Sequence, residues 1–312
     1  MLAVTDPRCL RHRVPPGFPE VPGRLAAVLE ALRADPRVEA VVEAHGVGDE
    51  EVLALARQIH DPGYLERFRR AVERGDGLLD TADNPLSPGT WDAALGAAGA
   101  TIAAVDRAVE RGEAVFAAVR PPGHHAEREG AMGFCFLNNA ALAVERAITR
   151  HGLGRVAVVD FDVHHGNGTQ HLFGQRGDVL YGSLHQWPFY PGTGAASERG
   201  RGAGEGATLN LPLPAGSGDA EWLGAFDSEV LPALGRFAPD LLVASAGFDA
   251  WRGDPLGGMR LGAEGFAAIG RRLGDAAEKL CAGRRLDLLE GGYDLAALPR
   301  LVRAYLFGDD PG

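Results

Sequence analysis

The sequence has few cysteines, and they lie far apart. Cys9, Cys135 and Cys281 are the three among 312 residues, which fits neither a disulfide framework nor a cysteine-based zinc site. No apolar run approaches the roughly 18 residues that a membrane-spanning helix needs, and residues 1–13 lack the apolar stretch of a secretion signal. A reducing, cytoplasmic and membrane-free setting, of the kind found inside a bacterial cell, is therefore expected.

Positive charge is also scarce. The chain has 31 Lys and Arg against 42 Asp and Glu, so its formal net charge is −11. Nucleic-acid-binding domains normally carry a basic surface, so nucleic acid is not an expected partner. An acidic surface is instead compatible with cationic substrates or partners. The hydrophobic share of 46% is typical of a globular protein with a substantial core.

Apolar runs alternate with stretches of helical periodicity along the whole chain. This alternation predicts an α/β fold, with a mainly parallel sheet and helices on both faces. No repeat or linker interrupts it, so residues 1–312 are expected to form a single domain. The predicted strands are residues 38–44, 51–56, 114–119, 155–159, 179–185, 208–213, 240–246 and 285–289. The predicted helices are residues 24–33, 91–111, 139–150, 169–173, 219–237, 262–281 and 295–307, with another that begins at Asp61 and Pro62.

The most informative stretch follows the predicted strand at 155–159. It reads Asp160-Phe-Asp-Val-His-His-Gly-Asn-Gly168. Residues two apart share one face of a strand, and open α/β sheets bind ligands at the carboxyl ends of their strands. Asp162 and His164 could thus supply two of the three protein ligands of a catalytic zinc. The alternative is a hydrogen-bonded Asp/His turn, which this density of ionisable residues disfavours.

Other predicted strand ends also carry reactive side chains. The stiff loop Arg120-Pro-Pro-Gly-His-His-Ala126 presents a histidine pair that suits a general base and a general acid, although a surface pair in a simple turn remains open. Asp249 is the natural third metal ligand, unless it only caps a turn. Glu290-Gly-Gly-Tyr293 places a tyrosine on a glycine hinge, and Cys135 is interpreted as a small buried residue.

Together these motifs resemble the zinc-dependent histone deacetylase family, and in particular its bacterial deacetylase-like amidohydrolases. The resemblance covers about residues 12–307 and rests on motifs that occur in the family's order. It implies the arginase/deacetylase fold, a single α/β domain around an eight-stranded parallel sheet. The matching segments are Arg120–Ala126, Gly133–Cys135, Asp160–Thr169, Pro191–Gly194, Ser245–Ala250, Gly253–Gly257 and Glu290–Tyr293.

The resemblance also implies a role for individual residues. The zinc ligands would be Asp162, His164 and Asp249. The catalytic set would be His124, His125 as the general base, Asp160 orienting His124, Asn167 supporting His125, and Tyr293 donating to the substrate carbonyl. An acyl-amine tunnel would be lined by Gly133, Phe134, Tyr190 and Leu256. A structural potassium ion would contact backbone carbonyls of Asp160, Asp162 and His164, together with Ser183 and Leu184.

Three departures from the family pattern bear on the substrate. Phe18-Pro19-Glu20 replaces a frequent His-Pro-Glu, Trp251 stands where relatives often have a smaller or polar residue, and Leu256 replaces the glutamate of some polyamine-specific relatives. The leucine favours an acyl-lysine or a neutral substrate.

The expected function is therefore zinc-dependent hydrolysis of an acyl amide, first of all acetyl-lysine in proteins or peptides. An acetylpolyamine or another small acylated amine is the alternative substrate. A catalytically weak acyl-lysine reader and arginase-like manganese chemistry are less favoured. An Asp₂His site also accepts iron(II) or cobalt, and the sequence does not indicate the acyl length or the oligomeric state.

Overall fold

A parallel sheet of eight strands forms the centre of the molecule. The computed structural model describes residues 1–44 and 47–308. The strands are β1 (Leu2–Thr5), β2 (Ala40–Glu43), β3 (Leu78–Leu79), β4 (Thr81–Pro85), β5 (Ala114–Ala117), β6 (Val156–Asp160), β7 (Val179–Gln186), β8 (Thr208–Leu213), β9 (Leu241–Ala246) and β10 (Arg285–Leu289). In the large sheet the order is β2-β1-β5-β10-β9-β6-β7-β8, and β3 and β4 pair separately. Every pairing in the large sheet is parallel.

Helices connect and cover the strands. They are α1 (Pro22–Ala34), α2 (Asp49–Ile59), α3 (Pro62–Arg74), α4 (Thr90–Arg111), α5 (Asn139–Thr149), α6 (Asn167–Phe173), α7 (Asp219–Ala225), α8 (Leu231–Phe237), α9 (Ala263–Cys281) and α10 (Leu298–Phe307). Strands β6, β9 and β10 are buried along their whole length, as expected for parallel strands with helices on both faces. In the described part of the chain, no helix is long and apolar enough to cross a membrane.

The predicted α/β architecture is confirmed, but the strand predicted at residues 51–56 is wrong. This segment belongs to α2, whose buried residues Val52, Leu55, Ala56 and Ile59 follow helical spacing. Acidic residues in the first turn of α2 suit the positive end of the helix dipole. A window of six residues was too short to separate the two periods. Strands β1 and β4 were not predicted from the sequence.

The start of α3 is confirmed in detail. Asp61 accepts hydrogen bonds from the backbone N–H groups of Gly63 and Tyr64, and Pro62 occupies the first helical position. Such a cap satisfies donors that have no partner inside the helix.

Strand order explains why distant motifs can meet. The order β5-β10-β9-β6 makes these four strands consecutive neighbours in the middle of the sheet. Because all four are parallel, their carboxyl ends lie at the same edge. The loop after β5 carries the histidine pair, the loop after β10 carries Tyr293, and the loops after β9 and β6 carry Asp249 and Asp162. The topology therefore collects the four motifs at one place.

Candidate active site

Asp162, His164 and Asp249 form a compact cluster of possible metal ligands. One donor atom from each lies within 4.8 Å of the others, and all three residues are buried. His164 Nδ1 is 3.1 Å from Asp162 Oδ1 and 3.1 Å from Asp249 Oδ2. Strand β6 ends at Asp160, so the turn, and not strand alternation, aims Asp162 and His164. In this turn the His164 backbone N–H donates to Asp162 Oδ1 at 3.0 Å.

The charges of this cluster suit a divalent cation. Burial and the neighbouring Asp162 carboxylate raise the pKa of Asp249 to about 7. Burial lowers the pKa of His164, but hydrogen bonds to Asp162 and Asp249 outweigh it and raise this pKa to about 9. Two buried carboxylates repel one another, and a cation held between them would relieve the repulsion. Two carboxylates and an imidazole are a donor set that zinc accepts, so the residues fit the expected metal.

Space around the cluster is restricted by Gly291. A side chain at this position would collide with the carboxylates of Asp249 and Asp162. The Gly291 backbone N–H also donates to Asp162 Oδ2 at 2.8 Å. The first glycine of the pair in the β10 loop therefore makes room for the carboxylate cluster and bonds to it, whereas the sequence linked this pair only to the tyrosine.

The histidine pair lies beside this cluster. The rings of His124 and His125 have centroids 4.0 Å apart, and both side chains are buried. Asp160 Oδ2 is 3.1 Å from His124 Nδ1, and Asn167 Oδ1 is 2.7 Å from His125 Nδ1. The structure thus places Asp160 and Asn167 beside the two histidines as the resemblance implied.

The two histidines have different electrostatic surroundings. Burial lowers the pKa of His124, but the carboxylates of Asp160 and Asp162 outweigh it and raise this pKa to about 10. Burial and the neighbouring charges on His124 and His164 hold the pKa of His125 well below its usual range. A neutral imidazole can accept a proton, whereas a cationic one can stabilise negative charge. The arrangement is chemically suited to a base at His125.

Tyr293 completes the inner end of a pocket. Its side chain is 9% exposed, and burial raises the pKa of its hydroxyl well above the usual value. The hydroxyl therefore stays protonated and able to donate at neutral pH. Asp254 Oδ2 accepts the Tyr293 backbone N–H at 2.7 Å and holds the loop. The Arg24 guanidinium carbon lies 4.7 Å from the centre of the Tyr293 ring.

The pocket has a volume of about 240 Å³. Its lining contains all four residues predicted for the tunnel, together with side chains of the reactive groups and two residues that were not predicted. The lining residues are Asp83, His125, Gly133, Phe134, His164, Phe189, Tyr190, Leu256 and Tyr293. Most of the wall is apolar, and its titratable side chains are those of Asp83, His125, His164 and Tyr293.

Phe189 and Asp83 are the pocket residues that the sequence analysis missed. The Phe189 ring stacks on His164 with centroids 5.3 Å apart, so it forms one face of the pocket floor. Asp83 Oδ2 accepts the Tyr190 hydroxyl at 3.0 Å and the Gly133 backbone N–H at 3.1 Å. Phe189 lies in the aromatic segment after β7, next to the predicted Tyr190, whereas Asp83 lies on β4, which was not predicted.

Gly133 has a steric reason to be glycine. A Cβ atom there would collide with the His125 ring, and its φ of 56° is in the left-handed region that favours glycine. The neighbouring Phe134 also adopts a positive φ of 68°. This turn presents the Phe134 ring to Tyr293 at a centroid distance of 5.8 Å.

Comparison with known proteins is consistent with this geometry. Residues 18–307 match a family model described as the histone deacetylase domain. The histone deacetylase-like amidohydrolase of Pseudomonas aeruginosa is 44% identical over 284 residues, which cover 90% of this chain and 73% of that protein. A probable deacetylase of Archaeoglobus fulgidus is 39% identical over 296 residues, which cover 93% of this chain and 80% of that one. The chain belongs to the histone deacetylase family.

A solved structure supports the same assignment. The acetylpolyamine aminohydrolase of Burkholderia pseudomallei superposes with a TM-score of 0.88 at 34% identity, covering 99% of this chain and 98% of that one. The predicted arginase/deacetylase fold is therefore confirmed, and family membership supports a hydrolase activity of the amidohydrolase kind.

In this deacetylase-family chain, a buried ionic triad anchors the reactive loops. Glu20 Oε1 accepts Arg24 Nη1 at 2.9 Å and Arg120 Nε at 2.8 Å, and all three side chains are almost fully buried. Arg24 also donates to the carbonyl of Glu290, which precedes the glycine hinge, and to that of Gly292, the second glycine of the hinge. The segment Phe18-Pro19-Glu20 therefore has two roles. The Phe18 ring packs on the Phe134 ring with centroids 5.3 Å apart, while the buried Glu20 carboxylate binds the two arginines.

Replacing Glu20 with glutamine is expected to destabilise the fold. Two guanidinium groups would then remain buried without their shared carboxylate, and breaking a buried ion pair by removing one partner costs roughly 3–5 kcal/mol. Urea unfolding at pH 7 measures this loss. Glu66→Gln is the control, because Glu66 forms exposed ion pairs on α3, and exposed pairs contribute little to stability. Equal losses for the two variants would contradict the prediction.

Ser183 and Leu184, two residues of the predicted potassium site, lie on β7. Ser183 pairs with Asp160 in the register of β6 and β7, and both Ser183 and Leu184 are fully buried. Ser183 Oγ is 2.9 Å from His185 Nδ1. The potassium ion itself stays a prediction.

Trp251, one of the three departures from the family pattern, lies in the protein interior. It is 7% exposed and donates through Nε1 to Asp294 Oδ2 at 3.2 Å. Trp251 therefore links the segment before Asp254 to the loop after β10, whereas Leu256 is one of the residues that line the pocket.

Proposed function

We propose that this protein is a zinc-dependent amidohydrolase that removes an acyl group, first of all acetyl, from an amine such as the side chain of lysine. The observation that supports this proposal most directly is a single pocket with a mostly apolar wall, which His125, His164 and Tyr293 also line. Pockets for drug-sized ligands usually exceed about 300 Å³, so a volume of about 240 Å³ suits a slender acyl-amine chain. Zinc would be held by Asp162, His164 and Asp249.

Bound zinc would supply Lewis acidity at the carbonyl and a lowered pKa of water. The protein's own residues account for the remaining steps. His125, kept neutral by its surroundings, removes a proton from the attacking water. Asp160 orients His124, whose positive charge faces the negative charge that develops on the substrate. An imidazolium of the pair then protonates the leaving amine, which departs as the free amine beside the acid product.

Tyr293 donates its hydroxyl proton to the carbonyl oxygen as negative charge develops there. Burial keeps this hydroxyl protonated, and a fixed donor in a dry site stabilises an oxyanion more than water does. Phe134, Phe189 and Leu256 exclude water from the methylene chain of the substrate. The expected potassium ion at Asp160, Asp162, His164, Ser183 and Leu184 would help to fix the β6 turn.

Acyl-lysine is the favoured substrate because an uncharged side chain, Leu256, forms part of the pocket wall. A second candidate, an acetylated polyamine or another small acylated amine, is favoured by one observation. The Asp83 carboxylate lines the pocket and could attract a second ammonium group. Its Oδ2 atom is already engaged by Tyr190 and Gly133, which reduces that attraction.

A substrate panel tests the preference. An acetyl-lysine peptide is expected to be hydrolysed with a higher kcat/KM than acetylspermidine, and a clear preference for the polyamine would favour the second candidate. Leu256→Glu should shift the ratio toward acetylspermidine by up to about fivefold, because a partly exposed ion pair contributes up to about 1 kcal/mol. Leu256→Gln is the matched control. Glutamine has nearly the same shape as glutamate but no charge, so this variant should not reproduce the shift.

A further inference from the structure

Asn167 faces two partners with opposite requirements. Its Oδ1 atom is 2.7 Å from His125 Nδ1, while its Nδ2 atom donates to Glu127 Oε1 at 2.5 Å. An amide side chain can turn over and exchange these two ends, whereas an ionised carboxylate only accepts. Glu127 therefore selects the orientation that leaves Oδ1 for His125. In that orientation His125 must carry its proton on Nδ1, so Nε2 keeps a lone pair.

We propose that Glu127 is a positioning residue that fixes the Asn167 amide and, through it, the base-competent tautomer of His125. The opposite amide orientation would place an N–H group against His125 Nδ1 and would move the ring proton to Nε2. A base needs its lone pair on the nitrogen that faces the reacting water. This inference rests on the role proposed above for His125.

The structure holds Glu127 firmly enough for this task. Its backbone N–H donates to the Gly130 carbonyl at 2.9 Å, and its own carbonyl oxygen is 2.8 Å from His60 Nδ1. His171 Nδ1 lies 2.8 Å from the same Oε1 atom that Asn167 uses. The Glu127 side chain is 29% exposed and His171 is 49% exposed, so the chain of contacts reaches from the buried base to the surface.

Other contacts of the amide are weaker. Asn167 Nδ2 is 3.5 Å from the His125 carbonyl oxygen and 3.2 Å from Met132 Sδ. The first distance is at the limit of a hydrogen bond, and a thioether is a weak acceptor. Glu127 is thus the dominant partner that distinguishes the two amide orientations.

Glu127→Ala is expected to lower kcat by about 10- to 100-fold, the usual loss when the partner of an active-site ligand is removed, with little change in KM. Glu129→Ala is the matched control, because this exposed carboxylate lies on the same loop and should leave kcat unchanged. Glu127→Asp should recover part of the activity, since a shorter carboxylate can still accept.

The same Glu127 substitution in an Asn167→Asp background distinguishes a positioning role of Glu127 from a general effect on folding. In Asn167→Asp the side chain accepts through either oxygen and needs no partner to orient it. Because the Glu127 carboxylate would only repel this new carboxylate, adding Glu127→Ala should not lower kcat in this background. Equal losses in both backgrounds would overturn the proposal.

The tautomer of His125 can be determined without measuring enzyme activity. Nitrogen-15 imidazole spectra of the zinc-loaded full chain, with the His125 signals assigned by their absence in His125→Phe, should show an Nδ1–H ring in the wild type. Glu127→Ala should introduce the Nε2–H form. An unchanged Nδ1–H ring in Glu127→Ala would overturn the inference, whether or not the acyl-lysine substrate proves correct. Absence of deacetylase activity with an altered tautomer would count against the proposed function alone.

Discussion

Asp249→Ala is expected to abolish tight metal binding and to reduce amide hydrolysis by about 10³-fold or more, since Lewis acidity contributes several kcal/mol to such a reaction. The side chain supplies one of only two carboxylates in the cluster. Its loss leaves Asp162 and His164, one protein ligand short of a catalytic zinc site. Metal content after gel filtration and kcat/KM on an acetyl-lysine peptide measure the two effects.

A stability measurement separates metal loss from misfolding. Asp249 Oδ1 also accepts the Val163 backbone N–H at 2.8 Å, so alanine removes a buried hydrogen bond as well. Asp249→Asn keeps an acceptor for that group and should fold like the wild type while binding metal weakly. Zinc at ~1,000 times its Kd should stabilise the wild type by about 4 kcal/mol, and it should stabilise neither variant comparably.

Asp294→Asn is the matched control for this experiment. Asp294 also follows a central strand, but it accepts from the backbone N–H groups of Ala296 and Ala297 in the turn before α10 and from Trp251. Asparagine keeps an acceptor for the two backbone groups, so zinc stoichiometry should be unchanged. Full zinc occupancy in Asp249→Ala would remove Asp249 from the ligand set.

The residues that sequence reasoning located share one property. His124, Asp162, Asp249 and Tyr293 each stand within a few residues of the end of an apolar run, and a parallel sheet brings such ends to one edge. The local sequence therefore contains both the strand and the reactive side chain. Strand order was not readable from these patterns, and the family resemblance supplied the expectation that the motifs meet.

The residues that were missed depend on contacts between distant segments. Asp83 belongs to β4, outside the large sheet, and it reaches the pocket only because Tyr190 and Gly133 bond to it. Glu127 looks like an ordinary loop carboxylate until Asn167 is seen beside it. The structural role of Glu20 depends on Arg24 and Arg120, and Arg120 is 100 positions away in the sequence. No periodicity or short motif encodes such pairings.

Tyr293→Phe is expected to lower kcat by about 10²–10³-fold, the usual effect of removing one donor to a developing oxyanion. The ring would keep its contacts with Phe134 and Arg24, and Asp254 would still hold the backbone N–H. The pocket shape and the metal ligands therefore stay in place. Metal stoichiometry and KM should be close to those of the wild type.

Tyr190→Phe is the comparison that identifies the role of the Tyr293 hydroxyl. The Tyr190 hydroxyl donates to Asp83 at the pocket wall, so its loss should act mainly on KM and change kcat by less than about tenfold. A donor that acts only in the transition state lowers kcat and kcat/KM together, whereas a wall contact acts on binding. If both variants changed KM alone, Tyr293 would be a wall residue, and the oxyanion would have to be stabilised by the histidine pair and the metal.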